Sequence, residues 1–185
     1  MSLFGDGLEA AVQKAFTRPA PKTAPAQMRY LVKQLKSTRA VAQMLRISQR
    51  TVERYVKNQI RKPRPDLAAR LEREVTRRWQ PQVRARARQR AATTGGIVID
   101  TRARIGYTAP IGTTDDARLR HLTVALPPQY AARLFDAQQA GAADQQLQQI
   151  AAEGLKEMYF QDGGRRAGDL EEIRFTDIEH IEFDL

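Results

Sequence analysis

Residues 38–57 read TRAVAQMLRISQRTVERYVK, and their spacing decides the front of the chain. Val41, Ala42, Leu45, Ile47, Val52 and Tyr55 fall where two short helices joined by a tight turn bury one shared face. Thr38 is placed to cap the first helix and Ser48 the second, each through its hydroxyl. Arg46-Ile47-Ser48 forms the turn, with Ile47 plugging the core and Ala42 small enough for the helices to cross. Burying Val52 and Tyr55 leaves Gln49, Arg50, Thr51, Arg54 and Lys57 outward. Such side chains bond base edges and phosphates. The pattern predicts a helix-turn-helix whose second helix, Gln49 to Lys57, is a recognition helix. Arg46 departs from the motif, which favours Gly there because the backbone turns left-handed. An ordinary helical hairpin is the competing account of the same spacing.

The charge supports a polyanionic partner. Residues 1–104 hold 24 Lys and Arg against 7 Asp and Glu, whereas residues 105–185 hold 7 against 14. A basic front and an acidic rear imply two different jobs. With 185 residues the chain holds one domain or two small ones. It has no Cys, which excludes disulfides and Cys-ligated metal. Its two histidines, His121 and His180, are far apart and make no metal pattern. No apolar run is long enough to span a bilayer and no signal peptide is seen, so a cytoplasmic protein without a membrane partner is expected.

Outward from the central stretch, residues 1–18 hold an amphipathic helix over 7–17, with Leu8, Val12, Ala15 and Phe16 on one face. Pro19 to Pro25 reads as an extended linker, which leaves this helix either a mobile arm or packed back on a core. A supporting helix follows over Gln27 to Lys36. Arg61-Lys62-Pro63-Arg64-Pro65 ends the recognition helix as a basic, extended segment; a phosphate or minor-groove contact and a plain linker both remain open. Asp66 to Trp79 is a helix with Leu67, Leu71, Val75 and Trp79 on its packed face. Gln82 to Ala92 carries Arg84, Arg86, Arg88 and Arg90, suited to lie along phosphates. The basic DNA-binding region is therefore drawn as 27–92.

Thr93 to Gly96 marks the domain boundary. In the acidic region, 97–185, Ile97 to Ile105 and Leu119 to Leu126 alternate as the two strands of a hairpin. Helices follow from Pro127 to Gln139 and from Ala143 to Phe160, and the tail from Leu170 adds edge strands or docks on a basic partner. The fold expected is α+β: an N-terminal all-α helix-turn-helix domain, then a small C-terminal sheet, the hairpin, with two helices.

Between the two strands Tyr107 to Asp116, YTAPIGTTDD, reads as a loop. Thr113 and Thr114 in its 110–116 stretch are either acceptors of a transferred group or plain caps of a following helical turn. The chain has no GxxxxGK[ST], HExxH, GxSxG or dinucleotide fingerprint, so a self-contained hydrolase or motor is not expected.

The opening MSLFGDGLEAAVQKAFTR, the stretch AQMRYLVKQLKSTRAVAQMLRISQRTVERYVKNQIRKPRPDLAARLEREV, the middle GYTAPIGTTDDARLRHLTVALP and the close FTDIEHIEFDL carry a resemblance. Across essentially its whole length the chain resembles the telomere terminal proteins of linear streptomycete-type chromosomes and plasmids. That resemblance implies a protein joined through a hydroxyl to DNA 5′ ends, which primes end-patching replication and is itself no enzyme. It implies the following partners: telomeric DNA, a telomere-associated recruiting protein, and a DNA polymerase that supplies the deoxynucleotide and divalent metal. No cofactor of the protein's own is implied, and the place of action is the nucleoid at chromosome ends. The family's acceptor threonine falls on Thr114, with Thr113 adjacent. Self-association into a homo-oligomer stays open. The alternative class is a helix-turn-helix transcription regulator without covalent chemistry.

Overall fold

A computed structural model describes residues 2–108, 114–165 and 170–185. Among them the chain is α+β, with eight α-helices and one three-stranded antiparallel sheet. It folds as two compact units, residues 17–81 and residues 1–16 with 82–185.

The unit over 17–81 is all-helical. It holds α2 (Ala24–Leu35), α3 (Thr38–Leu45), α4 (Gln49–Val56) and α5 (Pro65–Arg78). Met28 and Leu31 of α2, Val41 and Leu45 of α3, Val52 and Tyr55 of α4, and Leu71 and Val75 of α5 make one buried cluster. Pro25 is not linker: it sits in the first turn of α2, where its missing N–H is no loss, and it is buried with Ala24. Trp79, expected on a packed face, is half-buried. Its indole donates to the Arg18 carbonyl at 2.9 Å, and its ring stands edge-on to Tyr30 at 4.9 Å. The Thr17 amide also reaches Gln80 at 3.0 Å, so the two ends of this unit are tied to each other.

The second unit joins α1 (Leu3–Lys14) to the described elements that follow: α6 (Pro81–Arg90) from Gln82 on, β1 (Ile97–Thr108), β2 (Thr114–Leu126), α7 (Pro128–Gln139), α8 (Asp144–Leu155) and β3 (Glu172–Asp184). The sheet order is β2-β1-β3. Alternation puts Ile97, Ile99, Thr101, Ala103 and Ile105 of β1 on the buried face, with Leu122 and Leu126 beside them on β2 and Ile181 and Phe183 on β3. Phe4, Leu8, Ala11 and Val12 of α1 share this core with Leu134 and Phe135 of α7 and Leu147 of α8. Gly96 makes the entry to β1 at φ 71°; a Cβ there would lie 2.2 Å from the Leu126 carbonyl oxygen.

Several boundaries move. The first helix is neither an arm nor confined to 7–17. It begins at Leu3, and its start is locked by Asp144, whose carboxylate accepts from the Leu3, Phe4 and Gly5 amides at 2.9, 3.0 and 3.2 Å. A carboxylate at a helix N-terminus satisfies amides that have no partner within the helix. The helix expected over 143–160 is α helical only to Leu155 and closes in a π turn, Lys156–Phe160. Of the alternatives open for the tail, the edge strand holds: it forms one long strand that pairs with β1 and makes the hairpin a three-stranded sheet.

Candidate nucleic-acid interface and acceptor hairpin

In the 17–81 unit, 17 Lys and Arg stand against 4 Asp and Glu. The rest of the chain holds 14 against 17, so the positive charge is concentrated in the smaller unit. α3 and α4 are joined by the three residues Arg46 to Ser48. Ser48 caps α4, accepting the Thr51 amide at 3.1 Å. The cap of α3 is Ser37, not Thr38: its hydroxyl accepts the Ala40 amide at 3.1 Å. Thr38 instead accepts from the Gln49 side chain at 3.1 Å, a tie between the two helices.

Arg46 takes the left-handed conformation, φ 55° and ψ 49°. The Ile47 amide bonds the Ala42 carbonyl at 3.0 Å and the Arg46 amide bonds the Gln43 carbonyl at 3.2 Å. This is a Schellman ending, with Arg where Gly is favoured. The turn keeps its geometry because paired carbonyls and the inward Ile47 offset a left-handed cost of about 1–2 kcal/mol.

Gln49, Arg50, Arg54 and Lys57 are exposed on α4, and Thr51 is half-buried with its hydroxyl 2.8 Å from that of Ser48. Gln49 is held on both sides, by Thr38 and by Glu53 at 3.0 Å. Glu53, an acid on the same helix, is the site residue that a pattern of basic side chains does not single out. The i,i+4 spacing from Gln49 is the signal that places it.

The arginines of α6 divide. Arg86 and Arg90 are exposed. Arg84 is buried, and its guanidinium meets both carboxylate oxygens of Glu9 at 2.6 Å. Arg88 lies against the Phe135 ring at 5.7 Å and near Glu9 at 3.7 Å. Burial is the main cause pulling its pKa below the usual arginine value. Arg84 therefore cannot lie along phosphates, and Arg88 is half-buried. The reason is Glu9, 75 residues away in sequence, which pairs with α6 across the second unit. The compact unit that holds α3 and α4 ends at Pro81, inside the expected 27–92 span, and α6 from Gln82 belongs with the sheet.

The loop expected over Tyr107 to Asp116 is shorter at both ends. Tyr107 pairs with Asp115 on one side and Ile173 on the other, and Thr108 with Thr114 and Glu172. Pairing on both sides holds this stretch extended, a constraint supplied by β3. Thr114 is thus the first residue of β2. Thr113 and the rest of 109–113 lie outside the described residues.

On the open face of the sheet, register brings the two distant histidines together. Arg102 stands opposite His121 on β2 and His180 on β3. Both imidazoles reach Asp100, at 3.3 and 3.5 Å. The Thr123 hydroxyl, 2.5 Å away, is the main cause holding the Asp100 carboxyl below the usual carboxylate range. Among the described residues no such group forms a metal-binding cluster. No described helix is long and apolar enough to cross a membrane.

Set against family models, curated sequences and solved structures, the chain has no significant match.

Proposed function

We propose that the chain is a DNA-end protein: residues 17–81 hold duplex DNA as a helix-turn-helix unit, and Thr114 accepts the first deoxynucleotide from a partner polymerase. The observation that carries the DNA-binding half is α4: a capped helix on a buried hairpin, presenting Gln49, Arg50, Arg54 and Lys57 to solvent in a unit of net charge +13. Arg86 and Arg90 are the arginines of α6 left to touch phosphate.

The acceptor half rests on the resemblance to telomere terminal proteins. Thr114 is the first residue of β2; from it the covalently held strand would enter a polymerase. In the step proposed, the Thr114 oxygen attacks the α-phosphorus of a deoxynucleoside triphosphate. A phosphoester forms, the bond to the leaving pyrophosphate breaks, and the hydroxyl proton passes to a base of the polymerase. The polymerase's metal ions stabilise the charge on the departing pyrophosphate. The protein is then primer and scaffold, acting at chromosome ends with a recruiting protein and the polymerase. A regulator without covalent chemistry is the competing function, because the same α4 serves it equally.

The test is to release DNA ends from cells with and without protease. A DNA-end protein stays on the 5′ termini until proteolysis, whereas a regulator leaves them with detergent alone.

A further inference from the structure

We infer that residues 61–64, Arg-Lys-Pro-Arg, form a preorganised arm that inserts into the minor groove beside the major-groove site of α4 and reads A·T pairs there. The inference rests on the DNA-binding reading of residues 17–81 and adds a second, groove-specific contact to it.

The arm leaves α4 from a fixed point. Asn58 takes the left-handed conformation at φ 58°. The Gln59 amide bonds the Arg54 carbonyl at 2.8 Å and the Asn58 amide bonds the Tyr55 carbonyl at 2.9 Å, a second Schellman ending. Arg29 of α2 locks this exit from outside, donating to the Val56 carbonyl at 3.2 Å and to the Asn58 side chain at 3.1 Å. Ile60 packs on the core of the unit, and Leu67 is buried at the start of α5. Both ends of the four-residue segment are therefore pinned.

Between those ends the chain is extended and stiff. Residues 60–64 are neither helix nor strand, and Arg64 has φ −63° and ψ 152°. Pro63 and Pro65 fix φ near this value and bias the residues before them away from helix. Arg61, Lys62 and Arg64 are exposed, and none has a side-chain hydrogen bond or ion pair among the described residues. The nearest acid, Asp66, belongs to the first turn of α5. Three cations thus point outward from a backbone that has already lost most of its freedom.

That combination fits one occupant. A minor groove about 6 Å wide excludes a helix but admits an extended chain with long cationic side chains. Runs of A·T pairs narrow that groove and deepen its negative potential, which draws arginine in. Four residues reach roughly 13 Å from the end of α4. A loose linker loses more entropy on ordering in such a groove; the prolines and the locked exit reduce this loss.

The test uses the full chain. A random duplex library is selected on the wild type and on the triple variant Arg61→Gln, Lys62→Gln, Arg64→Gln. The wild type is expected to select an A·T run next to the element read by α4. Replacing that run with G·C should weaken binding by about tenfold, whereas replacing it with inosine·cytosine, which has an A·T-like minor groove, should restore it. The triple variant should select the same central element and be indifferent to the flank. Pro63→Gly keeps all three charges and should lose part of the flank discrimination. A triple variant that keeps the flank preference overturns the arm. So does an inosine·cytosine flank that behaves as G·C, or a loss equal on every flank, which means phosphate contact only. A wild-type protein that binds no duplex overturns the DNA-binding reading beneath the arm as well.

Discussion

Two arginine-bearing helices of this chain turn the same composition to opposite ends. On α4, Arg50 and Arg54 face water, because Val52 and Tyr55 take the buried side. On α6, Arg84 is itself the buried residue, clamped by Glu9, and Arg88 rests on Phe135. In α4 the apolar residues claim one face and leave the charges the other. In α6 the apolar residues after Pro81 are Val83, Ala85 and Ala87 alone, so no apolar stripe sets the orientation and a distant carboxylate sets it instead. Arginine content thus predicts a solvent-facing basic surface only where the neighbouring apolar residues already fix which way the helix faces.

The largest test of this contrast is Glu9→Ala. It leaves the Arg84 guanidinium buried without its carboxylate and should cost about 2–4 kcal/mol of stability, below the range for fully buried pairs because Glu9 is partly exposed. Urea unfolding reads the loss, and duplex affinity of the folded protein should stay unchanged; equal stability would mean that the Glu9–Arg84 pair contributes nothing. Arg50→Ala and Arg54→Ala should behave in reverse, each weakening binding to the selected site by about 1–3 kcal/mol with the melting temperature held. A double variant that binds as well as wild type removes α4 from the interface. The smallest effect is expected at Tyr130, which is buried and donates to Glu157 at 2.5 Å. Tyr130→Phe should cost about 1 kcal/mol. Burial and then that hydrogen bond push the phenol up to about 12 from its ordinary 10. Its folded-state pKa is raised, so its contribution is full below about pH 10 and is lost as pH rises from 10 to 12. The Phe variant should show a flatter stability profile over that alkaline window; an unchanged slope would contradict the assignment.

What the sequence reveals and what it hides follow from the range of the interactions. The α3–α4 hairpin was legible because its rules are local: apolar spacing, a serine cap four residues after Met44, and a turn of three residues. Even the departure at Arg46 was readable, and the structure places that residue in the left-handed conformation the motif requires. The two strands of the hairpin were visible from alternation. Their lengths were not, because Tyr107 and Thr108 are held extended by Ile173 and Glu172 of a strand more than 60 residues away. The place of α1 was hidden for the same reason. Its local cap, Ser2, lies in the sequence, but the Asp144 carboxylate that also accepts its first amides and the core partners from the sheet and α7 lie outside any window of neighbouring residues. The Asp100 cluster likewise needs the register of three strands before His121 and His180 can meet.

The proposed division of work gives DNA to the helical unit and the acceptor to Thr114 of the hairpin. It is tested most directly by incubating wild type and Thr114→Ala with a DNA end, a polymerase-competent extract and labelled deoxynucleotides, then locating the modified residue by peptide mass spectrometry. One deoxynucleotide is expected on Thr114 of the wild type, none on Thr114→Ala, partial labelling of Thr114→Ser, and equal duplex binding by all three. Full labelling of Thr114→Ala, whether on Thr113 or elsewhere, would contradict it.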